Sequence, residues 1–420
     1  MQNFYLHSFT AKHYRHFSSL FIKFNKKFNF ITGSNGCGKT SILHGIMHCF
    51  DQSNHINTRF GDNSSISTNL IIGDDRFDPL KITVGFGQGS FRTKEYRGST
   101  LYTYLPPSIV IDEFELFNAN QFKETFPYVI PLNITSDRNI KYKFIEGTRR
   151  ILPNDQQRDS YLNAGLTPHY TDDDRSVKQW MINRYAWIDK EWAYDYKQNW
   201  DHLIRYLPKL APNDSDFEFV EIRDDLEPRF SIYGQECYLE ELSAGFQAIF
   251  TVVANIIEWI ENTNSDGQRF IGDATGTVLI DELDLHLHPE WQFNIRGGLE
   301  ALFPNLQFIV TTHSPHLLAS AKEGEVIIMN REIGKTEYHF EPSNKRYSGW
   351  NTDQILEDVM GVKSLKNKDY ERLIDEALDA YESKDKTKLL SVMEHLKNIT
   401  HSDDTIVQVL EMKMASLELE

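Results

Sequence analysis

The segment Gly33-Ser34-Asn35-Gly36-Cys37-Gly38-Lys39-Thr40 decides the fold of this 420-residue chain. It matches the pattern G-x-x-x-x-G-K-[ST], follows an alternating strand-like run and precedes the apolar, helix-like stretch SILHGIMHCF. The glycines allow backbone N–H groups to surround phosphate oxygens, and the helix N-terminus adds the positive end of its dipole. We therefore predict an ATP site, with Lys39 at the β- and γ-phosphates and the Thr40 hydroxyl on Mg²⁺.

A second element ends in two carboxylates. In Thr277-Val278-Leu279-Ile280-Asp281-Glu282, a buried strand is followed directly by adjacent acids. Carboxylate oxygens suit Mg²⁺, so we expect Asp281 to hold the ion through water and Glu282 to polarise the attacking water. Solvated residues at a strand end would give the same pattern, but the phosphate loop upstream favours a site.

Two weaker elements lie on either side of this strand. Leu242-Ser243-Ala244-Gly245-Phe246-Gln247 opens a helix before it, and Thr311-Thr312-His313 ends a later strand. Alone, Ser-x-Gly before a helix is an ordinary N-cap, and a single histidine is more often structural. Their order along the chain favours a functional role for Ser243, Gly245 and His313.

Charge is unevenly distributed. The net charge is −17, yet residues 1–50 contain no Asp or Glu and six Lys or Arg. Residues 351–420 contain sixteen acidic and nine basic residues. The acid-free block predicts anion binding, which a phosphate loop explains without nucleic acid.

Composition predicts a cytoplasmic protein. The longest apolar runs fall short of the roughly 20 residues that a membrane span needs. The N-terminus lacks the apolar core of a secretory signal. Three cysteines make neither a disulfide framework nor a metal cage.

The order of elements predicts an α/β fold, with a mixed sheet flanked by helices. Residues 18–33 indicate two strands around Asn25-Lys26-Lys27, whereas the polar residues 51–68 are typical of a loop. Further strands are expected at Leu70–Ile72, Ile82–Phe86, Tyr128–Ile130, Phe217–Ile222, Phe230–Tyr233, Thr277–Ile280 and Gln307–Thr311. Helices are expected over Ser176–Leu210, which holds four tryptophans, over Ala244–Glu261 and in the acidic C-terminal part.

The four elements, in this order, resemble the ATP-binding cassette (ABC) type of P-loop ATPase. The segments IDELDLHLHPEWQ and PNLQFIVTTHSPHLL resemble the branch that holds RecF-like and overcoming-lysogenization-defect ATPases. That branch includes ATPases of bacterial anti-phage systems such as Septu, related retrons and PARIS. The resemblance implies an ABC-type ATPase domain over residues 1–340, with a helical subdomain inserted at about 150–212 and an α-helical C-terminal tail over 341–420.

The resemblance also implies a role for each motif residue. Asp281 corresponds to the Walker B aspartate, Glu282 to the catalytic glutamate, Asp284 to the acid that follows, and His313 to the switch histidine. Ser243 and Gly245 correspond to the signature, which in the family closes on the ATP of a second protomer. The implied assembly is a homodimer around two ATP molecules, within a higher homo-oligomer. The implied ATP and Mg²⁺ contacts are Gly33, Ser34, Asn35, Gly36, Cys37, Gly38, Lys39, Thr40, Ser41, Ser243, Gly245, Asp281 and Asp284, with Thr40 and Asp281 as the metal ligands.

Some features remain open at this point. The bulky Phe246 departs from the family signature and predicts either altered contact with the γ-phosphate or slower turnover. Ser136-Asp137-Arg138 resembles a strand-end Ser-x-Arg of relatives, but an ordinary loop explains it equally well. Gln88 is one candidate for the family's glutamine loop. His286 and His288 alternate as metal ligands can, but the motif explains them without a metal.

The function class follows from the resemblance and from the tail. Residues 342–420 show no nuclease motif, and their amphipathic helices fit either a cap on the ATPase or a docking platform. The leading hypothesis is an ATPase sensor and scaffold subunit of an anti-phage system, acting with a separate, HNH-type nuclease. The alternative is a RecF-like DNA-repair ATPase that binds nucleic acid. The interval between Lys39 and Ser243 is longer than we expect for a transporter ATPase.

Overall fold

The computed structural model describes residues 4–50, 60–73, 78–88, 104–105, 107, 113–126, 129–136, 138, 140, 142–150, 156, 177–212, 214–264, 269–330, 334–362, 368–401 and 404–419. The chain divides into two units, Met1–Gly361 and Val362–Glu420. This division lies further along the chain than the expected start of the tail at 341. The reason is that Tyr347, Ile355 and Val359 are buried in the core of the first unit.

Five strands of the first unit form a parallel sheet, in the order β14-β3-β13-β12-β8. These strands are short and mostly apolar, as expected for a sheet that is covered on both faces. Alternate residues serve two cores: Val278 and Ile280 pack into one, and Leu279 into the other. The strands are β3 (Phe28–Thr32), β8 (Leu132–Ile134), β12 (Gly276–Ile280), β13 (Leu306–Thr311) and β14 (Val326–Ile328).

A second sheet of seven strands is mainly antiparallel, in the order β15-β2-β1-β4-β5-β6, with β7 also paired to β5. The two strands expected in residues 18–33 are present, but β2 belongs to this sheet and β3 to the parallel one. The strands are β1 (Phe4–Tyr14), β2 (Phe17–Lys23), β4 (Phe60–Ile72), β5 (Leu80–Gln88), β6 (Tyr104–Leu105), β7 (Glu115–Phe117) and β15 (Glu337–Phe340).

The strand β4 shows that the loop expected over 51–68 was wrong from Phe60 onward; residues 51–59 lie outside the described residues. The polar side chains from Ser64 to Asn69 are buried, and several form hydrogen bonds to neighbouring strands. Asn69 donates to the Ser8 hydroxyl at 2.9 Å and accepts from the Thr83 hydroxyl at 2.6 Å. Interstrand hydrogen bonds therefore replace the apolar alternation that marks most strands.

The strand expected at Tyr128–Ile130 lies slightly later, at Leu132–Ile134. Val129 and Ile130 are buried but are not part of a strand, and Tyr128 lies outside the described residues. A third, three-stranded sheet has the order β11-β10-β9. Its strands are β9 (Glu218–Ile222), β10 (Pro228–Ile232) and β11 (Gln235–Tyr238).

Helices cover the parallel sheet. The helix that follows the phosphate loop, α1, packs its apolar residues against β1 and β4 in one core, and the long α5 belongs to the other. The helices of the first unit are α1 (Lys39–Phe50), α2 (Ala119–Thr125), α3 (Val177–Trp187), α4 (Tyr194–Tyr206), α5 (Ala244–Thr263), α6 (Pro289–Leu302) and α7 (Pro315–Ala319), with short helical turns at Thr352–Gln354 and Ile355–Val359. The mixed sheets and flanking helices confirm the predicted fold class.

The expected helical subdomain contains α3 and α4; residues 151–155 and 157–176 lie outside the described residues. Trp180 and Trp200 are buried, with ring centroids 6.2 Å apart, whereas Trp192 is 66% exposed. Two of the four tryptophans therefore pack this region internally.

In the C-terminal unit, Val362–Glu420, the described residues form three helices: α8 (Lys368–Glu382), α9 (Lys386–Ile399) and α10 (Thr405–Leu419). One aliphatic core joins them, with Leu389, Met393 and Leu396 of α9 at its centre. Within the part of the chain that the structure describes, no helix of either unit is long and apolar enough to cross a membrane.

Candidate functional site

The phosphate loop connects β3 to α1 at the carboxyl edge of the parallel sheet, where ligands of α/β proteins commonly bind. Gly36 and Gly38 have φ values of 75° and 105°, a region that favours glycine. At Gly38 a Cβ atom would lie 2.5 Å from the ring of His16. The loop therefore needs glycine both for its backbone and for its close approach to the turn between β1 and β2.

Lys39 is buried beneath this loop. Its ammonium donates to the carbonyl oxygens of Gly33 and Ser34 at 3.0 and 3.3 Å. Burial lowers its pKa, with nearby Cys37, Asp281 and Glu282 acting in the opposite direction. Burial also raises the pKa of the Cys37 thiol, which disfavours the reactive thiolate.

Thr40 and Asp281 come together as the sequence predicts. The Thr40 hydroxyl lies 3.0 and 3.1 Å from the two carboxylate oxygens of Asp281. One hydroxyl and one carboxylate fit a Mg²⁺ site in which the protein supplies two ligands, because this ion usually takes its other ligands from phosphates and water. Within the described residues, no group of three or more His, Cys, Asp or Glu side chains could hold a metal ion.

Glu282 has a left-handed backbone, with φ of 51°. For a residue with a side chain this conformation costs about 1–2 kcal/mol. Its N–H donates to the Thr311 hydroxyl at 2.7 Å, and its carbonyl accepts from the Arg138 guanidinium at 2.6 Å. The same guanidinium nitrogen donates to the carbonyl of Asp281.

Arg138 lies at the site, in the segment that the sequence left open between a strand-end motif and an ordinary loop. It is 3% exposed and lies beneath the Asp281–Glu282 peptide, so the Ser136-Asp137-Arg138 segment is more than an ordinary loop. Asp137 lies outside the described residues. Burial lowers the pKa of Arg138 to about 10, and the nearby Asp281, Asp284 and Glu282 limit that fall. The guanidinium therefore remains charged at neutral pH.

His313 follows β13 and faces the same edge. Its backbone N–H donates to the carboxylate of Asp284 at 3.3 and 3.4 Å. Burial, together with the positive charge of Lys39, lowers the pKa of the His313 imidazole. The neutral ring that results near pH 7 has one donor and one acceptor nitrogen.

These elements line one cavity of about 430 Å³, within the size range of small-molecule sites. The sequence did not indicate His16, whose Nε2 lies 3.1 Å from the carbonyl oxygen of Cys37. Its only signal was the basic, acid-free block at the N-terminus. The lining residues are His16, Asn35, Gly36, Gly38, Lys39, Thr40, Ser41, Glu282, Thr311 and His313.

The signature residues are not among those lining residues. Ser243 caps α5 and is exposed, and Gly245 is buried where a Cβ atom would lie 2.5 Å from the carbonyl oxygen of His286. Phe246 is 1% exposed and packs on Phe217, with ring centroids 4.1 Å apart. The Phe246 ring is therefore part of the hydrophobic core. Its effect on the γ-phosphate contact or on turnover stays a prediction.

The phosphate loop after β3, the acids that follow β12 and the histidine that follows β13, the strand between these two, together define a P-loop ATPase. The chain belongs to the family described as "AAA domain, putative AbiEii toxin, Type IV TA system", whose model matches residues 28–319.

Known relatives extend this assignment. The chain is 27% identical over 409 residues to a Septu protein PtuA of Bacillus thuringiensis, a match that covers 95% of this chain and 94% of that protein. It is 33% identical over 175 residues to the retron Ec83 probable ATPase of Escherichia coli, covering 40% of this chain and 31% of that protein. An Smc head domain from Pyrococcus furiosus, solved with a bound ScpA domain, aligns with a TM-score of 0.48 at 14% identity, over 85% of this chain and 99% of that one. The named relatives confirm the predicted resemblance to ATPases of anti-phage systems.

Proposed function

We propose that this chain is the ATP-binding and ATP-hydrolysing subunit of a bacterial anti-phage defence system, and that it controls a separate nuclease effector. Two observations support the proposal. The relative that matches along nearly the whole chain is named a Septu protein, and a shorter match is named a retron ATPase. The cavity brings the phosphate loop, Glu282 and His313 together.

Five residues in or beside the cavity have a chemical task in this proposal. Lys39 and the N–H groups at the start of α1 bind the phosphates. Thr40 and Asp281 would hold Mg²⁺, which supplies neutralisation of the phosphate charge. Glu282 orients a water and accepts its proton, while the neutral imidazole of His313 donates to the terminal phosphate.

The exposed position of Ser243 carries the proposal of a dimer. Its hydroxyl caps α5 by accepting from the Phe246 N–H at 3.4 Å, and Ser243 is not among the residues that line the phosphate cavity. If the signature acts on ATP, as the family resemblance implies, it acts on the ATP of a second copy of the chain. Each complete site would then combine residues of two protomers, within a dimer or a larger homo-oligomer.

Mixing two inactive variants tests this composite site. Lys39→Ala removes the phosphate lysine but leaves the signature intact. Ser243→Asp retains a good N-cap residue but places a negative charge at the signature. Ser243→Thr, which keeps both a hydroxyl and N-cap capacity, is its uncharged control. We expect Lys39→Ala and Ser243→Asp to be inactive alone and active when co-expressed, because one of two sites in a mixed dimer is intact.

Ser243→Thr should retain most of the ATP hydrolysis of the natural sequence, because it keeps the hydroxyl. If the mixed Lys39→Ala and Ser243→Asp protein is as inactive as its parents, although mass measurement shows mixed assemblies, the composite site is wrong.

The effector is tested by co-purification with the products of neighbouring genes, followed by mass measurement with and without ATP. We expect an HNH-type nuclease in the complex, and Lys39→Ala should abolish protection against phage. The alternative, a RecF-like repair ATPase, predicts tight ATP-dependent binding of duplex DNA by this chain alone. A gel-shift titration at stated salt separates the two, and the net charge of −17 favours the effector-bound subunit.

A further inference from the structure

We propose that Arg138 and Thr311 are positioning residues, which hold the backbone of Glu282 so that its carboxylate faces the water that attacks ATP. This inference rests on the proposed hydrolysis of ATP and adds the residues that orient its base. The starting observation is the left-handed φ of 51° at Glu282, an unfavourable conformation for a residue with a Cβ atom. Such a conformation persists only where surrounding contacts impose it.

The first contact comes from β13, one neighbour of β12. The Thr311 hydroxyl accepts from the Glu282 N–H at 2.7 Å and donates to the Asp281 carboxylate at 2.6 Å. The Thr311 carbonyl accepts from the Leu283 N–H at 3.1 Å. Thr311 is 1% exposed, so water competes little for these bonds.

The second contact comes from the segment after β8, the strand on the opposite side of β12. The Arg138 guanidinium donates to the carbonyl oxygens of Asp281 and Glu282, and its Nε donates to the Thr135 carbonyl at 3.0 Å. The guanidinium is therefore fixed to its own segment while it holds two successive carbonyls. Both neighbours of β12 thus act on the same peptide.

Replacing Arg138 by lysine separates the effect of the guanidinium geometry from the effect of its charge. A guanidinium is planar, with donors at fixed angles, whereas a lysine ammonium is a compact charge on a flexible stem. Arg138→Lys keeps the positive charge beside the acids but loses the fixed arrangement that spans Thr135, Asp281 and Glu282. If the bonds to the backbone matter, lysine will not replace arginine.

Thr311 offers an equally matched pair of substitutions. Thr311→Ser keeps the hydroxyl and its two hydrogen bonds. Thr311→Val keeps the β-branched shape that suits a buried strand, but leaves the Glu282 N–H and the Asp281 carboxylate without this partner. Comparison of serine with valine therefore isolates the hydroxyl from the packing of β13.

The test measures steady-state kcat and KM for ATP, together with the Kd for ATP, on the full chain. A positioning role predicts that Thr311→Val and Arg138→Lys lower kcat by about 10- to 100-fold and change Kd by less than about threefold, because the loss affects the transition state. Thr311→Ser should recover most of the lost kcat. In a Glu282→Gln background, single-turnover rates should fall no further on adding either substitution, because the group being positioned is already absent.

Different results would overturn the positioning role and the ATP hydrolysis on which it rests. Unchanged kcat in both Thr311→Val and Arg138→Lys overturns the inference, as does an equal fall with and without the Glu282 carboxylate. Since the two positions are independent, loss of folding at one leaves the other decisive. If the natural sequence itself fails to hydrolyse ATP, or Glu282→Gln hydrolyses normally, the proposed function fails instead.

Discussion

The nucleotide edge, comprising residues 33–41, 281–284 and 311–313, and the C-terminal unit are built on different principles. The edge buries Lys39 and Thr311 and holds Glu282 in a left-handed conformation. The C-terminal unit packs three amphipathic helices around an aliphatic core, with Leu396 fully buried in it. The nucleotide edge therefore contains buried polar groups and backbone strain, whereas the core of the C-terminal unit consists mainly of aliphatic side chains.

This difference explains what each region reveals about function. Strained backbone and buried polar groups persist only where surrounding contacts impose them, and they are often found at functional sites. The residues of the nucleotide edge therefore indicate its chemistry. An aliphatic helical core specifies only that the unit folds. The composition of this unit is acidic, with more Asp and Glu than Lys and Arg.

Replacing Lys39 at the edge should have the largest effect on activity. Lys39→Ala removes a buried cation from the phosphate loop, so we expect ATP binding to weaken by about 100-fold or more and hydrolysis to be lost. Isothermal titration with ATP measures the first effect. The matched control is Lys26→Ala at an exposed turn, which should bind ATP normally. Normal ATP binding by Lys39→Ala would show that residues 33–40 are not the phosphate-binding loop.

Removal of Mg²⁺ should act on the edge alone. Chelation should lower ATP hydrolysis by about 100-fold or more, while thermal unfolding without nucleotide stays unchanged because the protein supplies only part of the coordination. Thr40→Val should raise the Mg²⁺ concentration needed for half-maximal hydrolysis, and Thr40→Ser should not. Full activity in excess chelator would contradict the assignment of Thr40 and Asp281.

A core substitution in the C-terminal unit should produce the opposite pattern. Leu396→Ala should destabilise that unit by about 2–5 kcal/mol, because it creates a cavity in a small core. Hydrogen exchange should become faster in α8 to α10. The rate of ATP hydrolysis should stay within about twofold of that of the natural sequence, because the substitution lies outside the nucleotide edge. Leu390→Ala, at a half-exposed position of the same helix, is the control. A loss of hydrolysis as large as that of Lys39→Ala would erase the distinction between the two regions.

The sequence allowed the central site to be predicted because its chemistry lies in short motifs. Thr40 and Asp281 meet because the carboxyl ends of parallel strands share one edge, which is a rule of the fold. The same rule would place Arg138 there once β8 is known to border β12. The sequence alone placed that strand a few residues too early, so the role of Arg138 stayed open.

Other features depend on long-range contacts that periodicity does not reveal. Most of β4, residues 60–68, was expected to be a loop because buried polar residues such as Ser64, whose hydroxyl donates to the His13 carbonyl of β1, take the place of apolar packing. His16 reaches the phosphate loop only because the turn between β1 and β2 folds over it. Phe246 follows the signature serine in sequence, but its ring packs into the core.

The proposed chemistry of this edge depends most on Glu282, as the base for ATP hydrolysis. The most direct measurement is phosphate release from Mg²⁺-ATP by the natural sequence and by Glu282→Gln, with bound ATP determined on the same samples. We expect equal ATP binding and phosphate release at least about 100-fold slower in the variant, because the amide cannot accept the proton of water. Equal rates of phosphate release, at equal occupancy by ATP, would contradict the account.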